Sequence, residues 1–332
     1  MQRLLSSFVI TLFLFGIGTA QAGNRPADVP EGMGPLPTLA PVPADNPMSP
    51  DKIELGKKLY FDPALSLSGN ISCNSCHNLG NGGVDNQQFS IGHKWQRGGR
   101  NAPTVLNAAF WRTQFWDGRA PLLEDQAKGP PLNPVEMADI SEAQLIKRLK
   151  DAGYEPLFNK VFGKKPINYD NMAKAIAAFE RTLLTPDAPF DRYVRGEADI
   201  SEAAKRGMHK VDEIGCTGCH SGPLFTNNSF QGFDYGTDTG RKAVTGKAED
   251  DHFFRVQSWR NVALTAPYFH DGSVATLDEA VRIMAKKQLD TELSDKDSSD
   301  IVAFLNTLTG KQPEIIYPLL PRPAGRALDF HD

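Results

Sequence analysis

Two stretches of the 332-residue chain share one pattern, Cys73-Asn74-Ser75-Cys76-His77 and Cys216-Thr217-Gly218-Cys219-His220. Two thiols at this spacing can add across the two vinyl groups of one haem. A histidine directly after the second thiol then lies under the ring and supplies a nitrogen to iron. All 4 cysteines of the chain fall inside these motifs. A zinc site, a redox-active pair or a disulfide framework would not need histidine at that position. The pattern therefore predicts two covalent c-type haems, one on Cys73, Cys76 and His77, the other on Cys216, Cys219 and His220.

Each iron would keep a second axial position. Downstream of His220 the only methionine is Met284. Methionine trans to histidine raises the potential of an electron-carrying haem, so Met284 is the expected ligand, with His252 and His270 as rivals. For the first haem, His93 is the only histidine between His77 and His209, with Met137 as rival. His93 sits in the glycine-rich stretch 80–100, whose composition predicts a mobile loop rather than a core element. A ligand on a loop can leave, and an open haem site can do oxygen chemistry. Cleavage of a peroxide O–O bond needs a base that takes a proton from the near oxygen and returns it to the far one. Glu124 is expected in that role, with Gln114 orienting the peroxide. Trp116 is either core or a π-system between the haems.

These groups need elements to hold them. Ser49-Pro50-Asp51 is a helix start, with an N-cap serine and proline at the first helical position. Ile53, Leu55, Leu59 and Tyr60 follow as an apolar face just before the first motif. Residues 23–50, rich in proline and glycine, read as a leader that wraps rather than packs. Helical periodicity returns near 141–150 and 170–184, where Met172, Ile176, Phe179 and Leu183 form one stripe. Thr185-Pro186-Asp187 breaks it and marks a domain boundary.

The second half repeats the order. A helix begins at Ser201-Glu202 before the second motif. Arg100-Asn101 recurs as Arg260-Asn261, Phe115-Trp116-Asp117-Gly118 as Phe269-His270-Asp271-Gly272, and the segment Ile176–Leu183 as Ile301–Leu308. Matches in one order predict a duplicated haem domain. Strand signals are few, so the expected fold is mainly α, with halves over 23–185 and 186–311.

Residues 1–22 read as a secretory signal peptide: Arg3, an apolar run from Phe8 to Ile17, then Ala20-Gln21-Ala22. Export to the periplasm fits haem attachment outside the cytoplasm. The formal net charge is −4, and losing Arg3 with the leader makes it more negative, which argues against nucleic acid as a partner.

The chain resembles the bacterial di-haem cytochrome c peroxidase family over roughly Asp45 to Pro321. The resemblance rests on both haem motifs, on Gly82-Gly83-Val84-Asp85, on Arg100-Asn101-Ala102-Pro103-Thr104, on Gln114 to Arg119, and on Thr265 to Gly272. It implies two cytochrome c-like haem domains in tandem, with the tail 312–332 packing back on the first. The His77 haem would be peroxidatic, gated by His93, and the His220/Met284 haem would receive electrons. Gln114 and Glu124 would fall on distal-pocket positions and Trp116 between the haems. Calcium would be held by Asn101 and the carbonyls of Thr265 and Pro267. The resemblance also implies a homodimer. A related enzyme that matures a tryptophan-derived quinone has tyrosine where this chain has Met284, which argues against that activity.

The expected function is reduction of hydrogen peroxide to water, with electrons from a small soluble cytochrome c or cupredoxin. The alternatives are a di-haem electron carrier, six-coordinate at both irons, or a di-haem enzyme oxidising another substrate.

Overall fold

A computed structural model describes residues 25–138, 141–164 and 167–322. The expected signal peptide and residues 323–332 lie outside the described residues. Ser49 caps the first helix, α1 (Pro50–Phe61), accepting from the Lys52 N–H at 3.2 Å, with Pro50 at the first position. Helix α1 lays Leu55, Leu59 and Tyr60 on α6 (Tyr169–Glu180). The two cross at Gly56, where a Cβ would stand 1.8 Å from the Ala175 carbonyl, so only glycine permits the approach. Tyr60 meets Phe179 edge-on, centroids 5.3 Å apart. Four further helices complete this half: α2 (Cys73–Cys76), α3 (Leu123–Leu132), α4 (Glu142–Asp151) and α5 (Glu155–Phe162).

The second half contains α7 (Pro189–Val194), α8 (Glu202–Glu213), α9 (Lys242–Thr245), α10 (Leu277–Leu289) and α11 (Asp295–Asn306). Helix α8 crosses α11 at Gly207, where a Cβ would stand 1.9 Å from the Asp300 carbonyl. Met208, Phe190, Phe225, Ile301 and Phe304 fill the core around them. One short antiparallel pair, β1 (Phe230–Gly232) and β2 (Phe253–Arg255), is the only sheet among the described residues. The fold is mainly helical, as the few strand signals predict. Among the described residues no helix is long and apolar enough to cross a membrane.

The halves share local geometry, with one correction to the sequence reading. The counterpart of Asn261 is Asn107, not Asn101. Asn107 and Asn261 both adopt positive φ, 62° and 61°, and each starts a short 3-10 turn. Their N–H groups donate to Leu183 and Leu308 carbonyls. Their side-chain amides meet on one atom, Thr185 Oγ1, at 2.8 Å each. Further on, Gln114 N–H donates to Ala120 O and Tyr268 N–H to Val274 O, both at 2.7 Å. Phe115 and Phe269 follow with φ of 67° and 70°. Helices α3 and α10 start at the same distance beyond these turns.

Two other expectations change. The leader packs: Val29, Met33 and Leu36 are buried, and Val29 and Met33 join the second half's core rather than the first's. Tyr193 donates to Asp28, and the Leu36 N–H donates to Asp191, which fixes the segment there. Apolar residues among the prolines drive this, and composition hid them. The stretch 80–100 is irregular but tethered. Gly92 lies so close to Val135 that a Cβ would stand 2.0 Å from its carbonyl. At the far end, Tyr317 packs on Phe61 at 4.7 Å and Arg322 pairs with Asp62 at 2.8 Å, so residues up to 322 lie on the first half.

Candidate functional site

Each motif coils into a single turn. The His77 N–H donates to Cys73 O and the His220 N–H to Cys216 O, both at 2.9 Å. At the second motif Cys216, Cys219 and His220 line one cavity; at the first, Cys76 and His77 do, while Cys73 packs against the first half's core. His77 Nδ1 lies 3.0 Å from Pro103 O, and His220 Nδ1 lies 3.1 Å from Phe225 O. A carbonyl can only accept, so each Nδ1 carries the proton and each Nε2 keeps a free lone pair, the form that ligates a metal. Desolvation pushes both rings below the ordinary histidine range, His220 to about 4. His220 also stacks on Trp259 at 4.4 Å. The residues therefore fit a haem at each motif.

The cavity at the second motif measures about 250 Å³ and is lined mainly by apolar side chains, with no carboxylate on its wall. Met284, on α10, lines it together with Cys216, Cys219 and His220. Of the rival ligands, His252 is not on its wall. His270 is, but its ring stacks on Phe254 at 4.0 Å.

The cavity at the first motif measures about 630 Å³ and carries charged residues. Here the structure does not bring the expected proton-transfer group to the cavity. Glu124 does not line the cavity. Both its oxygens are held by Arg181, at 2.8 and 3.0 Å, and Asn46 Nδ2 donates to Oε1 at 2.6 Å. Burial alone would raise the Glu124 carboxyl, but Arg181 and Asn46 outweigh it and lower the pKa. It is a buried ion pair at the start of α3. Gln114 does reach the cavity, yet its Nε2 donates back to Ala108 O at 3.2 Å.

The groups that face the cavity are Gln126 and Glu136. The Gln126 amide has no hydrogen-bond partner among the described residues. Glu136 accepts from Asn133 Nδ2 at 2.9 Å, and burial raises its pKa, opposed in part by Arg119. Glu180 also lines the wall. It is buried, its Oε2 has no partner, and burial pushes it up to about 8. The missed signal lay in the helix register. Glu124 and Asp278 are both first-turn acids of matching helices, a place where carboxylates serve the helix end.

His93 itself is not among the residues that line this cavity, although its neighbour Gly92 is. The His93 backbone N–H donates to both Val135 O (2.9 Å) and Glu136 O (3.0 Å), which ties its loop to the segment carrying Glu136. Its Nδ1 is buried without a partner. The following residues Lys94 and Trp95 hold positive φ, a strained backbone for non-glycine residues. Met137, the rival ligand, is 3 % exposed in the first half's core and does not line the cavity.

Trp111 and Trp116 line both cavities and form a wall between them. Trp116 Nε1 donates to Asn101 O at 2.9 Å. Arg100 locks the wall's outer edge, bridging Asp117 and Asp238 at 2.5 Å each. The loop 264–270 comes against Asn101, whose N–H donates to His270 O at 2.8 Å. Asn101 Nδ2 turns to Gln87 O. Its Oδ1, and the carbonyls of Thr265 and Pro267, accept no hydrogen bond among the described residues. Neutral oxygens of this kind suit calcium.

A helical protein with two haem-attachment turns separated by a tryptophan wall is a di-haem c-type cytochrome in class. The family model for di-haem cytochrome c peroxidases matches residues 50–199. The cytochrome c551 peroxidase of Pseudomonas aeruginosa is 47% identical over 304 residues, 86% of this chain and 87% of its own. That of Nitrosomonas europaea is 44% identical over 96% of both chains. A solved MauG-like protein associated with microbial copper homeostasis superposes with a TM-score of 0.76 at 31% identity, covering 86% of this chain and 95% of that one. The chain belongs to the di-haem cytochrome c peroxidase family, and its enzyme class is that of a cytochrome c peroxidase.

Proposed function

We propose that the protein reduces hydrogen peroxide in the periplasm, with electrons entering at the second motif and chemistry at the first. The observation that carries this reading is the inequality of two matching helices. The eighth residue of α10 is Met284 and the eighth residue of α3 is Pro130, each on the wall of its own cavity. A thioether can close an iron; a proline ring cannot. His93, on its tethered loop next to the cavity-lining Gly92, is then the ligand of the first site, and one that can be withdrawn.

When bound, the haems supply the electron-storing iron that O–O cleavage requires. The chain's own residues do the rest. Gln126 presents a free amide that orients the peroxide. Glu136, with its raised pKa, takes the proton from the near oxygen and returns it to the far one. The balance is one peroxide, two protons and two electrons giving two waters. Trp116 and Trp111 fill the gap that electrons cross. Asn101, Thr265 and Pro267 hold calcium across the two halves, so the ion links the wall to the second half. The halves derive from one duplicated cytochrome c-like domain, and the donor is a small soluble cytochrome c or cupredoxin. The resemblance implies that the chain pairs as a homodimer. Steady-state peroxide turnover with a reduced small cytochrome c tests the reading. It fails if half-reduced, calcium-loaded protein shows no activity.

A further inference from the structure

The second cavity contains an unbalanced charge. Arg255 is 1 % exposed and lies on its wall. Its Nε donates to Phe115 O at 3.3 Å and its Nη2 to Gln257 Oε1 at 3.0 Å, both neutral acceptors. Its Nη1 is buried with no partner. Burial lowers the guanidinium pKa to about 9, which still leaves it charged at neutral pH. A buried cation without a counter-ion is strongly unfavourable.

The rest of the cavity wall offers no relief. It contains no aspartate and no glutamate. Its other arginine, Arg260, is already matched by Asp191 at 2.7 Å. The first cavity differs here, since its arginines Arg100 and Arg119 both pair with Asp117. Arg255 is also held firmly. It sits on β2, its N–H donates to Trp116 O at 2.8 Å, and its guanidinium stacks 4.2 Å over the Trp111 ring. A rigid guanidinium with one free face, in an acid-free cavity, is a receptor for a carboxylate.

We infer that Arg255 binds a propionate carboxylate of the haem attached at Cys216 and Cys219, and holds that edge of the ring against the Trp111–Trp116 wall. The inference rests on the two-haem reading above. A cation at the propionate offsets negative charge and favours the ferrous state. Arg255 thereby raises the potential of the haem through which electrons enter, in addition to Met284.

The test uses full-length holoprotein, with Arg255→Met and Arg255→Lys. Haem content by mass comes first: a single haem per chain in the wild type refutes the two-haem reading itself, separately from this inference. With two haems present, spectroelectrochemistry reads the second haem. In Arg255→Met the ferrous-to-ferric ratio at fixed poise should fall about tenfold, equivalent to 59 mV for one electron. Its potential should also become pH-dependent as the released propionate titrates. Arg255→Lys should retain most of the native potential. A folded Arg255→Met protein with native potential and no pH dependence overturns the inference and leaves Arg255 a structural cation on Trp111. Should the methionine variant not fold, the wild type decides: a second-haem potential that is flat between about pH 5 and 8 supports an anchored propionate, and one that falls steadily with pH overturns it.

Discussion

Helices α3 and α10 stand behind matching turns and both begin with a cavity-lining leucine, Leu123 and Leu277, yet their inward residues then diverge. Where α10 carries Ala280 and Met284, α3 carries Gln126 and Pro130. Where α11 carries Leu305, α6 carries the buried Glu180. One cavity is lined mainly by apolar side chains, carries no carboxylate, and has the Met284 thioether on its wall. The other is larger, has no fixed ligand on its matching helix, and is ringed by Gln126, Glu136 and Glu180. The turns at Asn107 and Asn261 and the helix starts behind them match, while the side chains on the two cavity walls differ.

That contrast can be broken at several points. The largest effect is expected at Glu136. Glu136→Gln should lower peroxide turnover roughly 10²–10⁴-fold with both haems attached. A base works deprotonated, so wild-type turnover should rise with pH through a Glu136 pKa raised by burial, placing the acid limb above the ordinary carboxylate value of about 4.3. The variant should lose that limb, as stopped-flow pH profiles would reveal.

Glu124→Gln makes the opposite case. It leaves Arg181 buried without a counter-charge, at a cost of about 3–5 kcal/mol by denaturant titration, while the turnover of folded protein stays near native. Glu124 has a lowered folded pKa. Its stabilisation is therefore complete above the unfolded carboxylate value of about 4.3 and is lost as pH falls through the folded value. A collapse of turnover in folded Glu124→Gln protein would return the proton-transfer role to that residue.

Pro130→Met sharpens the comparison by copying α10 onto α3. The first haem should become six-coordinate and low-spin by resonance Raman, with peroxide turnover lost in proportion. The smallest effect belongs to the shared hub. Asn107→Ala and Asn261→Ala should each cost about 1–3 kcal/mol. Because both amides meet on Thr185 Oγ1, the double variant should cost less than the sum.

Much of this was legible in the chain. The haem motifs could be read because covalent attachment dictates their spacing, and the place of Met284 on the wall of the second cavity because it was the sole methionine left. The helices α1, α6 and α8 followed from capping and periodicity. Which acid faces the first cavity was not legible, since Glu124 and Glu136 are both acids near one loop. The distinction comes from Arg181, 57 residues from Glu124 along the chain, which claims one carboxylate and leaves the other to the cavity. The shift from Asn101 to Asn107 was hidden for a similar reason. Both read as asparagine before a small residue, and only the positive φ of Asn107 identifies the match to Asn261. The buried leader was hidden because proline and glycine dominate its composition, while three apolar residues decide where it lies.

The central claim is that the two haem sites are unequal, one wired and one open to substrate. Resonance Raman spectra of the calcium-loaded protein carrying a single added electron test it most directly. The account predicts one haem that stays six-coordinate and low-spin and disappears as such in Met284→Leu, and a second haem that turns high-spin. Two haems that both remain six-coordinate and low-spin after that electron would contradict it and point to a carrier rather than an enzyme.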